Sequence, residues 1–305
     1  MKQSNNIILS IIIISYNTKE LLEECINSII KSLKDSPIIN EFKNNTEIIV
    51  IDNNSTDGTK EYLLSFKRSH LGKLKTIFNK ENLGFAKANN QGIKIAKGKY
   101  IMLLNSDTII LDNALEILVD YLEKNPDIAA VSPLLLNHDR TPQMDYYMKF
   151  PNLWQIFLYH NKVLRPIAMR LSFLRNKICF APQNRPYKID QLPGAAMMVK
   201  KDIFNQIDLL DENYSFYFED VDWSFKAKEL KLNLIVVPKA KIIHLGGGSW
   251  KKAAGEKPQV YYDKFFRSML LFVRKNYGSK KEKIFRRAIK LNFLLKGKRL
   301  GSLLK

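Results

Sequence analysis

Residues 7–15 read Ile-Ile-Leu-Ser-Ile-Ile-Ile-Ile-Ser, an aliphatic run with no polar alternation. A strand with one wet face alternates apolar and polar side chains, so this run must be covered on both faces, as in a helix-flanked parallel sheet. The run is too short for a membrane span and lacks the small-residue cleavage site of a signal peptide, so a buried strand is expected. Leu21, Leu22, Cys25, Ile26, Ile29 and Leu33 then recur at helical spacing. A second buried strand is expected at 47–51, ending at Asp52, with turn-forming residues at 53–58. Strands at 74–78 and 100–104 follow, separated by a helix at 85–96 that Gly98 is expected to end in the left-handed conformation. Strand and helix alternate with short joints. The fold class is therefore α/β, a Rossmann-like, mostly parallel central sheet covered by helices.

Further along, 113–125 reads as an amphipathic helix closed by Pro126. Residues 133–193 hold seven prolines and no clean period beyond a helix at 153–175, and read as an irregular insertion on the acceptor side of a site. Regular patterning returns at 194–199, 201–206, 220–229 and 233–237. Cys25 and Cys179 are the only cysteines, without metal-ligand spacing, which excludes a disulfide scaffold and agrees with a reducing cytoplasm.

Several polar patches interrupt this pattern where open α/β sheets bind ligands, just past the strands' carboxyl ends. Asp52 either caps the following turn or accepts a hydrogen bond from the imide N–H of uracil or thymine. Asp57-Gly58 reads as a turn and helix entry. Asn82 and Gly84 open a helix. Capping explains Asn82 but not Asn90 inside the helix, where Asn is a poor helix former, so Asn90 is expected to reach a ligand. Asn105-Ser106-Asp107 presents one hard oxygen ligand for Mg2+ or Mn2+. His244 ends the Ile242-Ile243 run, before Gly246-Gly247-Gly248, and is expected to bind metal or phosphate. Glu219, Asp220 and Asp222 crowd three carboxylates into four residues beside Tyr214, Phe216, Tyr217, Phe218 and Trp223. Partial burial among aromatics raises a carboxylate's proton affinity and suits general-base work.

Together these residues resemble the inverting family-two glycosyltransferases of GT-A fold, and among them the rhamnosyltransferase-like members. The similarity extends over residues 10–249, and the gaps between motifs match along with the motifs. The resemblance implies that Ser15, Tyr16, Asn17, Asp52 and Asn54 hold the nucleoside, with Asn82, Gly84, Asn90, Asn105 and Ser106 completing the nucleotide-sugar site. It implies a divalent cation, Mg2+ or Mn2+, on Asp107 and His244; Asn105 stands where the family's Asp-x-Asp element has its first acid. It implies Asp220 as catalytic base, with Gly194, Ala195, Glu219, Asp222 and Trp223 on the acceptor or donor-sugar side. The implied activity is transfer of rhamnose or another hexose from a dTDP- or UDP-linked sugar to a hydroxyl of a glycan or lipid-linked acceptor in cell-surface polysaccharide synthesis.

The formal charge of +19 is concentrated. Residues 249–305 hold 17 Lys and Arg against three acids, while the remainder is nearly balanced. The chain therefore divides into a GT-A domain, 1–250, and a basic helical tail, 251–305. Ile284, Ala288, Leu291 and Leu295 fall on one face of that tail, with Phe285 and Ile289 beside them and Lys283, Arg286, Arg287 and Lys290 opposite. Such a helix lies on an anionic membrane surface or docks on the enzyme body; the former makes the protein cytoplasmic and peripheral on the inner face of the plasma membrane. A nucleic-acid binder is disfavoured, because the body is near neutral and carries no recognised binding motif. A nucleotidyltransferase would need a glycine-rich basic loop after the first strand, where only Lys19 is found.

Overall fold

The computed structural model describes residues 7–34, 44–69, 74–161, 163–246 and 258–295. Its first half is the expected alternation: β1 (Leu9–Ser15), α1 (Lys19–Lys34), β2 (Thr46–Asp52), α2 (Thr59–Ser69), β3 (Leu74–Phe78), α3 (Phe85–Ile95) and β4 (Tyr100–Asn105). β3, β2, β1 and β4 lie side by side, all parallel. Nearly every residue of β1, β2 and β4 is buried, as a strand covered on both faces requires. Gly92 of α3 sits where an added Cβ would come within 2.5 Å of Ile12 Cγ2, so its missing side chain lets the helix lie close on the sheet.

One expectation about this half fails. Gly98 does not take up a left-handed conformation. It is needed for space, because a Cβ there would lie 2.5 Å from Ser10 N and 2.7 Å from Tyr100 O.

The second half holds β5 (Thr108–Ile110), α4 (Ala114–Lys124), β6 (Ile128–Leu136), α5 (Leu164–Arg170), α6 (Ser172–Ile178), β7 (Tyr187–Lys188), β8 (Ala196–Lys200), α7 (Ile203–Ile207), α8 (Glu219–Glu229) and β9 (Asn233–His244). β8 runs antiparallel to β4 and to β6, β9 is parallel to β6, and β5 and β7 pair antiparallel with β9. The sheet is thus mixed and mostly parallel. The expected strand at 233–237 continues to His244, with a register shift against β6 between Pro133 and Leu134. The single helix expected at 153–175 is instead a π-turn at Gln155–Tyr159 followed by α5 and α6, with Leu171 extended between them.

The tail forms two helices, α9 (Pro258–Tyr277) and α10 (Ser279–Leu294), joined at Gly278 with φ +90°. Phe266, Met269, Phe272 and Val273 of α9, and Phe285, Ala288, Ile289 and Phe293 of α10, pack with Phe150, Ile156, Tyr214 and Phe218 in a second core. The described tail therefore docks on the body, and the expected apolar row is divided. Ala288 is buried, whereas Ile284, Leu291 and Leu295 stay 50%, 49% and 70% exposed. The helix turns its phenylalanines inward because they bury the larger apolar area. Residues 296–305 lie outside the described residues.

Candidate active site

Strand register brings the polar patches to one edge of the sheet. Ser15 pairs with Asp52 across β1 and β2, and Ile14 pairs with Asn105 across β1 and β4. Asn105 N donates to Ala195 O at 2.9 Å, just before β8. The next residue back, Gly194, donates its N–H to Asp220 Oδ2 at 2.7 Å. On the other side of β5, Thr108 pairs with His244. The segments carrying Asp52, Asp107, Asp220 and His244 are thereby joined through the backbone at one end of the sheet. This is the carboxyl end of β1, β2 and β4, where such sheets bind ligands.

At the β1–β2 side, two loops are tied together. Asn17, at φ 54°, accepts from Thr56 N at 2.8 Å, and its own N–H donates to Ser55 Oγ. Asp57 caps the entry to α2 by accepting from Thr59 N and Oγ, with Gly58 at φ +86°, as the turn reading requires. Asp52 is 3% exposed and accepts from Ser55 N; burial pushes its carboxyl above the usual range. Asn54, at φ 68°, is exposed beside it, and Tyr16 is half-buried. An amide chain backs this pocket: Asn79 donates to Asn53 and Gln91, and Asn53 donates to Asn82 Oδ1 and Gly84 O. Asn82 also caps Gly84 N, at φ +78°.

The metal expectation rests on Asp107 and His244, both buried, with Asp107 Oδ1 3.3 Å from His244 Nε2. Gln143 fixes the imidazole. Its Nε2 donates to His244 O at 2.6 Å, so its Oε1 faces His244 Nδ1 at 3.1 Å and makes Nδ1 the protonated nitrogen. Nε2 then faces Asp107 Oδ1 and lies 3.2 Å from Asn105 Nδ2. Tyr146 packs edge-on against the ring at 4.8 Å between centroids. Two ligands bound at right angles to one divalent ion, each at ~2.1 Å, sit about 3 Å apart. The pair fits such an ion as cis ligands. Among the described residues no group of three or more His, Cys, Asp or Glu could hold a metal. Two protein ligands leave the remaining positions for substrate and water, as is usual for Mg2+. Of Gly246-Gly247-Gly248, the last two lie outside the described residues.

The opposite wall is the first turn of α8. Tyr217 and Phe218 precede it with φ of 57° and 77°, a conformation that costs bulky residues about 1–3 kcal/mol each. Phe218 is held there by Phe265 and Phe272 of α9. The strained entry aims Asp220 at Gly194. Glu219 is buried, and burial followed by the Asp220 charge pushes its carboxyl up to about 8. Burial also raises Asp220, against the hydrogen bonds from Gly194 N and Val221 N. A Cβ on Gly194 would meet Asp220 Oδ2 at 3.0 Å and Phe85 Cε1 at 3.3 Å. Gly194→Ala is therefore expected to displace the carboxylate and lower kcat at least about tenfold, with an unchanged melting temperature; steady-state kinetics beside thermal melts check this.

Four sequence expectations are corrected. Asn90 is turned from the cleft, because its amide donates to Leu210 O and Glu212 Oε1 and accepts from Leu210 N. Asp222 is 1% exposed and bonds Lys275 Nζ at 2.8 Å, Asn276 Nδ2 and Tyr214 OH, so it anchors α9. Trp223 is buried in the main core, with Nε1 donating to Asp208 O. Ser15 and Ser106 share a buried hydroxyl chain through Thr18, which ties β1 to β4. Gln143, Tyr146, Asn79 and Gln91 escaped the sequence reading, since no local pattern marks a lone polar residue whose partner lies far along the chain.

The fold is that of GT-A glycosyltransferases. Two solved structures share it at a TM-score of 0.60: GalNAc-T7 with UDP, GalNAc and Mn2+, 21% identical, aligned over 96% of this chain and 57% of that one; and the mannosyltransferase PcManGT from Pyrobaculum calidifontis with GDP-Man and Mn2+, 14% identical, over 94% and 73%. The profile of Glycosyl transferase family 2 matches residues 10–204, more than half of the chain, which therefore belongs to that family. An uncharacterized glycosyltransferase of Haemophilus influenzae is 32% identical over 158 residues, 51% of this chain and 46% of its own length. The dTDP-rhamnosyl transferase RfbF of Shigella flexneri is 24% identical over 276 residues, 87% of this chain and 80% of its own. The chain spans less than half the length of the Haemophilus relative and of the pneumococcal GlyG, of which it covers 37%.

Proposed function

We propose that the protein is an inverting hexosyltransferase that moves a sugar, rhamnose first, from a dTDP- or UDP-linked donor to a hydroxyl of a glycan or lipid-linked acceptor in polysaccharide synthesis. Asp52 receives the pyrimidine imide N–H, with Tyr16, Asn17 and Asn54 around the nucleoside. Asp107 and His244 Nε2 hold a divalent cation, Mg2+ or Mn2+, which neutralises charge on the diphosphate when bound. Asp220 takes the proton of the acceptor hydroxyl as its oxygen bonds the anomeric carbon, and the bond from that carbon to the diphosphate oxygen breaks on the opposite face. One displacement inverts the configuration. The enzyme works at the inner face of the plasma membrane.

The observation that carries this reading is the Asp220 carboxylate, held by Gly194 N–H beside the strand end that delivers Asp107. The similarity to RfbF over most of both chains supports rhamnose. The test is a panel of nucleotide sugars, scored for diphosphate release with and without Mn2+ and for the anomeric configuration of the product by NMR. Mn2+-stimulated release of dTDP with an inverted product is expected. A retained configuration, or pyrophosphate formed from a nucleoside triphosphate and a sugar phosphate, would overturn it.

A further inference from the structure

Exposed large apolar side chains are concentrated in one region of this molecule. Of seventeen exposed large hydrophobic residues among those described, eleven belong to the segment 153–173 or to α10 and the residue after it. Trp154, Val163, Ile167, Leu171 and Phe173 are between 43% and 74% exposed. Val163, Ile167 and Leu171 recur every four residues, so they form one outward row along α5. The inner side of the same helices is apolar as well, with Ala168, Ile178 and Cys179 in a small cluster against Leu158 and Tyr159. A helix apolar on both sides has a second apolar partner.

The α10 set, Ile284, Leu291, Leu294 and Leu295, continues this surface. Leu153 and Ile284 line one groove with Pro151, Tyr277 and Lys281. The charge around it is predominantly positive. Residues 151–188 contain seven Lys and Arg and no Asp or Glu. Arg170, Lys177, Lys281, Lys283 and Arg287 are exposed. Arg165 and Arg286 are paired, with Asp145 and Glu282.

We propose that the protein docks on an anionic membrane surface through this face, with Trp154 and the outward row of α5 and α6 entering the headgroup region, flanked by the exposed edge of α10. Apolar side chains ringed by cations match a negatively charged bilayer surface. A second copy would set the same net-positive patch against itself, which like charge opposes. No described helix is long and apolar enough to cross a membrane. The docking face adjoins the catalytic wall, because His160 of this segment packs on Phe265, which also holds Phe218. This deepens the peripheral part of the proposed function by assigning it chiefly to the insertion, with the exposed part of the tail's row at its edge.

The test is co-sedimentation of the full chain with vesicles of phosphatidylglycerol and phosphatidylcholine in equal parts, with phosphatidylcholine alone as control. Wild type is expected to bind only the anionic vesicles and to be released by salt. Ile167→Ser with Phe173→Ser should weaken binding at least about tenfold. Ile167→Leu with Phe173→Leu should keep it, and melts should agree for all three. Binding indifferent to the serine pair, no lipid-dependent binding, or a dimer in sedimentation velocity that the serine pair abolishes would each overturn the proposal. The assay contains no sugar donor and so is read independently of transfer: vesicle binding by a protein inactive in the nucleotide-sugar panel would count against the enzymatic reading and leave this one standing.

Discussion

Asp220→Asn is expected to bind the nucleotide sugar as wild type does and to transfer it about 10²–10⁴-fold more slowly, the usual worth of a positioned base. Asparagine keeps the shape and the bond from Gly194 N–H, gives up the one from Val221 N–H, and cannot accept a proton. Direct binding of the donor beside kcat separates the two effects. The wild-type rate should rise with pH as Asp220 loses its proton, and the acid limb should lie above the ordinary carboxylate range, because burial raises this group. Stability should move the other way. The folded state holds the Asp220 proton more tightly than the unfolded state, whose Asp ionises near 3.8, so this group's contribution to stability declines as pH rises from there to its raised folded value and stays lost above it. The Asn variant lacks that decline. That gain offsets the lost bond to Val221 N–H, so it should melt close to wild type at neutral pH, and a dead enzyme with a near-wild-type melting temperature is the expected pair of results.

The second large effect is expected at Lys275. Its ammonium joins Asp222, 1% exposed, and Asp211, at 2.8 and 2.6 Å, and so pins α9 to the helix that begins with Glu219 and Asp220. Breaking a buried pair costs about 3–5 kcal/mol, but Lys275 is itself 35% exposed, so Lys275→Met should destabilise by about 2 kcal/mol. Asp222→Asn in the same chain should recover part of that loss, since no buried charge is then left unpaired. The substituted amide would still bond Tyr214 and Asn276. Chemical denaturation of the two single variants and the double variant gives the coupling. Because α9 also holds Phe218 in its strained conformation, Lys275→Met should lower kcat more than it weakens donor binding.

The strands β1 to β4 were legible because a strand covered on both faces writes itself as a continuous aliphatic run. β6 was not, since Pro133 breaks its pattern, and the sheet accepts that proline only where the register against β9 shifts. β5 and β7, of three and two residues, are too short to leave a period. At the site, motif spacing marked the residues that come together, Asp52, Asp107, Asp220 and His244. It misassigned Asn90 and Asp222, whose polar groups serve partners 120 and 53 residues away. Gln143, which fixes the His244 tautomer, lies 101 residues from its partner and has no local signature. The tail's periodicity revealed an amphipathic helix but not what covers it, because an apolar face meets lipid and protein by the same rule.

The most direct test of the central claim is a crystal structure with dTDP or UDP and Mn2+, phased at the manganese edge. The account predicts one anomalous peak within bonding distance of Asp107 and His244 Nε2, diphosphate oxygens on that ion, and the pyrimidine imide at Asp52. Manganese bound away from Asp107, or a base outside the Asp52 pocket, would contradict it.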